Sequence, residues 1–127
     1  LRRQASDELR PTVGILLERS EAVKNLPVLL SAESPPDIVY LGLYDLSRSI
    51  GLAGQIHHPR VQELVDLALE HAAGTSAKLG IIVNSRNEIS GYVEKGFEFF
   101  CYQSDTGMLF DLAAQVVNEF KSSEKIW

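Results

Sequence analysis

The chain has 127 residues, of which 45% are hydrophobic and 23% are charged, and its formal net charge is −5. These values are typical of one soluble globular domain with a useful hydrophobic core, and they exclude a disordered chain. The acidic balance, with no run of lysine or arginine, excludes a general nucleic-acid binder. We also expect no membrane partner, because no apolar run reaches the roughly 18–20 residues of a membrane-spanning helix.

The single cysteine, Cys101, cannot form an internal disulfide. This favours a reducing compartment, and we expect a cytoplasmic protein. Cys101 lies between Phe100 and Tyr102 in an apolar run, so we expect it to be a packed side chain. The first residue is Leu1 and not methionine, and the opening residues resemble the middle of a longer chain, so we expect an upstream segment.

Strand-like and helix-like segments alternate along the chain. The apolar run 12–17 predicts the first strand, and a helical stretch follows from Ser20, its expected N-cap, to about Ala32. Pro27 is expected to delay or bend that helix, because proline lacks a backbone N–H. The second strand is expected over 38–43, before a long loop.

The next predicted helix has apolar residues at the i, i+3, i+4 and i+7 spacing of one buried face. They are Val61, Leu64, Val65, Ala68 and Ala72. A third strand is predicted over 79–83, a short helix over 87–95 that ends at Gly96, and a fourth strand over 97–102.

A final helix is predicted after the fourth strand, with one apolar face directed at the core. That face contains Met108, Leu109, Leu112, Ala113, Val116, Val117 and Phe120. The polar segment 121–125 after it is expected to fray.

Strands that are apolar throughout and alternate with amphipathic helices predict a parallel sheet covered by helices, in an α/β fold. Four βα units form either a small open sheet or half of a (β/α)8 TIM barrel, and the strand pattern leaves both open. No linker divides the chain, so residues 1–127 are treated as one domain.

Two acidic residues follow the first two predicted strands. Glu18 comes directly after 12–17, and Asp45 directly after the run 37–44. Carboxyl ends of neighbouring parallel strands meet at one edge, so both carboxylates could hold a divalent cation there. The alternative is that each stabilises the start of the helix or turn after it.

Other reactive side chains give weaker indications. His57 and His58 are adjacent and point apart, so a joint metal site is not expected. His71 is expected on a helix, either at the surface or in the packing. Ser47 and Ser49 are interpreted as turn formers. Nucleotide-binding and serine-hydrolase motifs are absent from the sequence.

Several segments resemble one family, the HpcH/HpaI class II pyruvate aldolases. The stretch G-L-Y-D-L-S-R-S-I-G (42–51) resembles the family's G-P-x-D-L-S-x-S-L-G, and L-E-R-S-E-A-V-K-N-L (17–26) its I-E-T-x-E-A-v-x-N-L. The pairs at 54–55 and 58–59, with Val61, resemble G-Q and H-P-x-V, and 96–105 resembles G-F-x-F-v-x-v-G-S-D. Order and spacing agree over nearly the whole chain.

The resemblance implies a partial aldolase-like domain, the last four βα units of a (β/α)8 barrel. It implies that Glu18 and Asp45 hold Mg²⁺, Mn²⁺ or Co²⁺, completed by the keto and carboxylate oxygens of pyruvate, and that the cation stabilises the pyruvate enolate. Backbone amides near Tyr44 and Asp45 would hold the pyruvate carboxylate, and Ile82 would lie near its methyl group. An aldehyde is the second substrate.

The chain departs from the family pattern at Leu16, where the family has glutamine, at Leu43 in place of proline, and at Gln103 in place of glycine. The family's catalytic histidine and arginine lie in the first half of the barrel, so no catalytic residue is identified here. We expect a carbon–carbon lyase completed by another half barrel or by a homo-oligomer. The alternatives are a non-catalytic half-barrel binding or assembly module that has lost the catalytic histidine and arginine, and an unrelated open flavodoxin-like sheet.

Overall fold

The structure is a computed structural model that describes residues 10–123, and the described chain alternates strands and helices. The strands are β1 (Gly14–Leu17), β2 (Ile38–Leu41), β3 (Lys78–Val83) and β4 (Phe99–Tyr102). The helices are α1 (Ser20–Lys24), α2 (Leu26–Leu30), α3 (Leu43–Ser49), α4 (Pro59–Ala72), α5 (Arg86–Lys95) and α6 (Asp105–Ser123).

The four strands form one parallel sheet in the order β1-β2-β3-β4. Every strand therefore lies beside its predecessor in the chain. Crossovers between parallel strands are almost always right-handed, so an order that never reverses puts all the helices on one face. An open doubly wound sheet reverses its order and has helices on both faces. The topology therefore excludes the flavodoxin-like alternative and confirms the prediction of half a (β/α)8 barrel.

The helices cover the face of the sheet that forms the core. Helices α4 and α5 pack on β3, and α1 and α2 pack against α4. Side chains that alternate along the strands point into this layer and are buried. They include Leu17, Val39, Leu41, Leu79, Ile81 and Val83 from the strands, together with Val61, Val65 and Ala68 from α4.

The opposite face has no covering layer among the described residues. Leu16, Tyr40, Gly80 and Phe99 form one row across it, because they are paired in register. Leu16 is 53% exposed and Phe99 is 38% exposed. In a closed barrel this face would be the interior, filled by side chains from all eight strands.

The helix predicted from Ser20 to about Ala32 is divided in two. α1 ends at Lys24, and Pro27 stands in the first turn of α2, where its missing N–H costs no hydrogen bond. The prediction that Ser20 is the N-cap is wrong. Arg19 occupies the N-cap with extended backbone, and Ser20 is the first helical residue.

The long loop predicted after the second strand contains a helix, α3. This helix begins at Leu43, so β2 ends at Leu41, earlier than expected. Pro59 does start α4, and the His58 side chain accepts a hydrogen bond from the Arg60 amide. Gly96 ends α5 with a φ of 104°, the left-handed conformation that favours glycine.

The apolar face of α6 is not buried as predicted. None of the residues of α6 is buried, and Leu109 and Phe120 are 69% and 63% exposed. β4 is the edge strand of the described sheet, so the helix after it has no further strand to cover. In the segment 121–125, residues 121–123 continue α6 and the remainder lies outside the described residues. Within 10–123, no helix has the length and apolar character needed to cross a membrane.

Candidate metal and substrate site

Glu18 and Asp45 line the same cleft at the carboxyl edge of the sheet. Glu18 follows β1 directly, and Asp45 lies in the first turn of α3, just beyond β2. The cleft has a volume of about 510 Å³. Its lining consists of Glu18, Arg19, Glu21, Asp45, Arg48 and Ser49.

Gly42 makes room for Glu18 beside the end of β2. A Cβ atom at position 42 would lie 3.3 Å from Cγ of Glu18 and 3.4 Å from Cδ1 of Leu16. The distance to Glu18 is tighter than an ordinary van der Waals contact, so a larger residue at position 42 would push the Glu18 side chain aside by a few tenths of an ångström. Glycine at position 42 therefore leaves room for the Glu18 side chain beside the end of β2.

Two serines fix α3 in place beside this edge. The Ser49 Oγ accepts a hydrogen bond of 3.1 Å from the Ser20 amide and donates one of 2.8 Å to the Leu46 carbonyl. The fully buried Ser47 donates to the Tyr44 carbonyl at 2.6 Å. Hydroxyl groups in short segments commonly take such backbone partners. These bonds confirm the structural interpretation of both serines, although they act within and beside a helix.

Ser47 also holds the segment that follows α3. Its Oγ accepts a hydrogen bond of 3.0 Å from the Gly54 amide, and its carbonyl accepts one of 2.8 Å from the Leu52 amide. Because Ser47 is fully buried, replacing it would leave buried polar groups without partners. The chain leaving α3 is thus tied back to the helix that carries Asp45.

Both carboxylates are exposed, and neither makes a hydrogen bond or ion pair with another group among residues 10–123. Oxygen atoms of this kind are the donors that a hard divalent cation takes, and Mg²⁺ commonly uses only one or two carboxylates. No group of three or more potential ligands exists in the described part of the chain. The pair thus fits a cation that keeps several positions for water or substrate.

The alternative, that each acid stabilises the start of the helix or turn after it, applies to Asp45 better than to Glu18. Asp45 stands in the first turn of α3, where a negative charge is favourable. However, neither α1 nor α3 has a capping hydrogen bond from a side chain at its N-cap. Glu18 precedes the N-cap of α1 and therefore lies outside that helix.

The other two residues implied by the resemblance, Tyr44 and Ile82, do not line the cleft. The Tyr44 side chain is 49% exposed. Its backbone N–H, like that of Asp45, is in the first turn of α3, where amides have no partner inside the helix. Ile82 is half-buried on β3 and is paired in register with Cys101 on β4.

The histidines lie away from this cleft. His57 lines a separate cavity with residues of α4 and α5, including Gln62 and Tyr92. His58 has a structural role, because its Nδ1 accepts a hydrogen bond of 3.2 Å from the Arg60 amide. His71 is half-buried in the last turn of α4. None of the three is therefore positioned as a base for a ligand in the cleft.

Gln103, at the family's glycine position, has a φ of 47°. Only glycine adopts this left-handed conformation without strain, which explains why the family pattern has glycine there. The Gln103 side chain donates hydrogen bonds of 2.7 Å to the Asn84 carbonyl and of 2.7 Å to the Asp111 carboxylate. It is therefore held between the end of β3 and α6, and it does not line the cleft.

Among the titratable groups on the inner face of the sheet, Tyr40 has the most clearly shifted pKa. Partial burial raises the pKa of the Tyr40 phenol far above its usual value, and the nearby Cys101 thiol adds to this. Cys101 itself is half-buried, so it packs less completely than the sequence predicted. Both side chains would be enclosed if the sheet closed into a barrel.

Two arginines of the cleft, Arg19 and Arg48, were not among the residues predicted from the sequence. Both are exposed, and neither forms an ion pair with a described residue. One signal was available in the sequence, because each arginine stands within three positions of a predicted metal ligand.

A scan against protein-family models found no match. The chain is 32% identical over 123 residues to the 4-hydroxy-2-oxo-heptane-1,7-dioate aldolase of Shigella flexneri. That alignment covers 97% of this chain and 45% of the relative. The same identity, over 117 residues, relates it to the aldolase of that name from Escherichia coli strain SE11.

Solved structures give the same result. The HpcH/HpaI aldolase from Desulfitobacterium hafniense matches with a TM-score of 0.77 and 25% identity, over 85% of this chain and 42% of that one. An HpcH/HpaI aldolase/citrate lyase family protein from Burkholderia cenocepacia matches with a TM-score of 0.79 at 21% identity, which supports the fold alone. The chain spans less than half the length of these proteins, and it corresponds to their C-terminal half.

Proposed function

We propose that this chain, which belongs to the HpcH/HpaI aldolase family, is the C-terminal part of a divalent-metal-dependent aldolase. The complete enzyme would cleave 4-hydroxy-2-oxo acids to pyruvate and an aldehyde, or join these two in the reverse direction. The observation that carries the proposal is the cleft in which Glu18 and Asp45 lie together.

Glu18 and Asp45 would hold the cation, which we expect to be Mg²⁺, Mn²⁺ or Co²⁺. When bound, it would supply Lewis acidity toward the keto oxygen of the substrate. The two carboxylates are exposed and belong to different elements held together by the bond between Ser20 and Ser49. Because the two ligand-bearing segments are already held near each other, they need less rearrangement when the cation binds.

The first-turn amides of Tyr44 and Asp45 would orient the substrate carboxylate. Ile82 would supply an apolar contact from β3 on the inner face. Both assignments follow from the family resemblance and from the positions of these residues at or near the carboxyl edge.

Retro-aldol cleavage breaks the C3–C4 bond of the substrate. The 4-hydroxyl proton must pass to a base, and the electron pair of the broken bond forms the C2–C3 double bond of the pyruvate enolate. A proton must then be delivered to C3 to give the methyl group of pyruvate. The cleft contains no histidine, so we assign the base to the other half of the barrel. The part of the pocket that selects the aldehyde is assigned to that half as well.

Completion of the barrel requires four more βα units, from a longer chain, from another half barrel or from a second copy. The uncovered inner face, with Leu16 and Phe99 exposed, supports this requirement, because parallel sheets are normally covered on both faces. We expect assembly in the cytoplasm, because a single cysteine, Cys101, cannot form an internal disulfide and this favours a reducing compartment.

A non-catalytic assembly module is the second candidate, and Leu16 favours it. This side chain takes the place of the family's glutamine and lies next to Gly42 with Glu18, so a polar contact beside the site is replaced by an apolar one. Such a module would keep the fold and lose the binding of metal and 2-oxo acid.

Calorimetry with oxalate, a stable mimic of the pyruvate enolate, distinguishes the two candidates. We expect oxalate to bind the chain in the presence of Mn²⁺ and not after addition of EDTA, with little cleavage of a 4-hydroxy-2-oxo acid by the chain alone. Absence of Mn²⁺-dependent binding would support the assembly module. Rapid cleavage by the isolated chain would contradict the assignment of the base to the missing half.

A further inference from the structure

We infer that Arg19 and Arg48 stabilise the negative charge that develops on the keto oxygen when the substrate becomes an enolate. This inference rests on the proposed function, because it assumes that Glu18 and Asp45 hold the cation and the 2-oxo acid. It goes beyond that function by giving this half of the barrel charged groups of its own that act on the reacting end of the substrate.

The two arginines are brought together by a hydrogen bond between their neighbours in the chain. Arg19 precedes Ser20, Arg48 precedes Ser49, and the Ser20 amide lies 3.1 Å from the Ser49 Oγ. Both arginines therefore flank the junction of α1 and α3, and both line the cleft that contains the two candidate metal ligands. They thus border the position at which the 2-oxo acid would bind.

The positive charges of the two arginines are not used by the fold. Both side chains are exposed, and neither forms an ion pair with another residue in 10–123. Arg48 follows Asp45 by three positions on α3, a spacing at which opposite charges commonly pair, yet these two residues form no ion pair. A guanidinium group stays charged at any ordinary pH and presents several donors. The pair is therefore available to an anionic ligand.

The reaction adds one negative charge to this cleft. When the C3–C4 bond breaks, its electron pair forms the C2–C3 double bond and the keto oxygen takes the charge, while the 4-hydroxyl proton passes to the base. The lining contains three carboxylates, from Glu18, Glu21 and Asp45, and two guanidinium groups. With a divalent cation present, the lining is positive overall with the arginines and negative without them. The arginines therefore turn repulsion of the enolate into attraction.

Attraction of this kind contributes to catalysis because it depends on the charge of the ligand. A group lowers a barrier only when it interacts more strongly with the transition state than with the ground state. Pyruvate carries one negative charge and its enolate carries two, so a fixed positive charge favours the enolate. Cationic groups aimed at developing charge are a recognised source of rate enhancement.

The family pattern does not contain these two charges. It has threonine where this chain has Arg19, and the position of Arg48 is variable. The arginine of the family pattern lies in the first half of the barrel. The pair described here would act in addition to that residue, from the opposite half of the completed site.

The test compares two metal-chelating ligands of nearly the same shape by calorimetry in the presence of Mn²⁺. Oxalate carries two charges, like the enolate, whereas oxamate has an amide in place of one carboxylate and carries one, like pyruvate. The double variant Arg19→Gln, Arg48→Gln should reduce the preference for oxalate over oxamate by about tenfold, a change that charge-assisted hydrogen bonds can supply. Arg60→Gln, which removes the same charge on α4 outside the cleft, should leave the preference unchanged.

Two further measurements separate the charge of the arginines from a structural role. The double variant Arg19→Lys, Arg48→Lys keeps both charges and should retain most of the preference. Added salt should lower the preference of the unmodified chain more than that of the double glutamine variant, because exposed charges are screened. A lysine variant that behaves like the glutamine variant, or equal salt dependence in the unmodified and glutamine chains, would contradict the inference.

The same titrations distinguish this inference from the proposed function. If oxalate binds with Mn²⁺ and the double glutamine variant keeps the full preference for oxalate over oxamate, the arginine assignment is wrong and the proposed function stands. If neither oxalate nor oxamate binds the unmodified chain with Mn²⁺, both the proposed function and the arginine assignment are contradicted.

Discussion

The Ser49 hydroxyl accepts a hydrogen bond of 3.1 Å from the Ser20 amide, and this bond links the helix that carries Asp45 to the helix that follows Glu18. Ser20 is buried, so its amide depends on this partner. The bond therefore connects the stability of the fold to the spacing of the two candidate ligands.

Replacement of Ser49 by alanine should affect both properties. We expect the Ser49→Ala chain to lose about 1 kcal/mol of unfolding free energy, because a buried amide is left without a partner. We also expect its Mn²⁺ affinity, measured with oxalate, to fall by about tenfold, as seen when residues that orient metal ligands are removed. Ser31→Ala removes a similar hydroxyl, which donates to the Val28 carbonyl, and should leave Mn²⁺ affinity unchanged. Equal Mn²⁺ affinity in the two variants would show that the bond does not position the ligands.

Gly80 should resist substitution because two aromatic rings lie over it. A Cβ atom at position 80 would lie 2.8 Å from Cδ1 of Phe99 and 2.9 Å from Cδ2 of Tyr40. Gly80→Ala should therefore lower the free energy of unfolding by about 1–3 kcal/mol, as overpacking does. Gly91→Ala is the control, because position 91 lies within α5 with no neighbour near its Cβ, and it should be neutral or stabilising. Urea unfolding that ranks the two variants in the opposite order would contradict the packing of the inner face.

Gln103 allows backbone strain and side-chain bonding to be separated. Gln103→Ala removes the hydrogen bonds to Asn84 and Asp111 and keeps a side chain at a φ of 47°. Gln103→Gly removes the same bonds and relieves the strain. We expect the alanine variant to be less stable than the glycine variant by about 1 kcal/mol in denaturant unfolding. A glycine variant less stable than the alanine variant would contradict the left-handed conformation.

Asp37 should contribute to stability in a pH-dependent manner. The hydrogen bond from the Val13 amide lowers the pKa of Asp37 below its usual value of 3.8, and the Arg10 guanidinium adds to this effect. Because the pKa is lower in the folded chain, the contribution is present above about pH 4 and is lost as pH falls through the folded pKa. We expect Asp37→Asn to be less stable at pH 7 and to lose less stability than the unmodified chain between pH 5 and 2. Parallel unfolding profiles for the two proteins over that range would contradict this assignment.

The alternation of apolar strands and amphipathic helices was sufficient to predict the four βα units, because each strand is buried against helices on one face. The strand pattern alone did not distinguish an open sheet from a barrel, since that distinction depends on strand order. The family resemblance predicted the half barrel. The helix α3 was missed because Gly42, Ser47, Ser49 and Gly51 resemble loop residues, although both serines satisfy their hydroxyl groups within the helix.

For α6, in contrast, the helix was predicted correctly but the burial of its apolar face was not. Leu109, Leu112 and Phe120 have the spacing of a buried face, yet all three are exposed. Helical periodicity predicts that a face needs a partner, and it does not say whether that partner lies in the same segment of chain. Similarly, proximity in sequence to Glu18 and Asp45 could have drawn attention to Arg19 and Arg48, but only the fold shows that both line one cleft.

The binding of Mn²⁺ in the presence of oxalate, followed by the electron paramagnetic resonance signal of the free ion, tests the central claim most directly. We predict one Mn²⁺ site per chain, lost in both Glu18→Gln and Asp45→Asn and retained in Glu63→Gln, which changes an exposed carboxylate on α4 outside the cleft. Undiminished Mn²⁺ binding in Glu18→Gln and Asp45→Asn would contradict the assignment of these two carboxylates as the metal ligands.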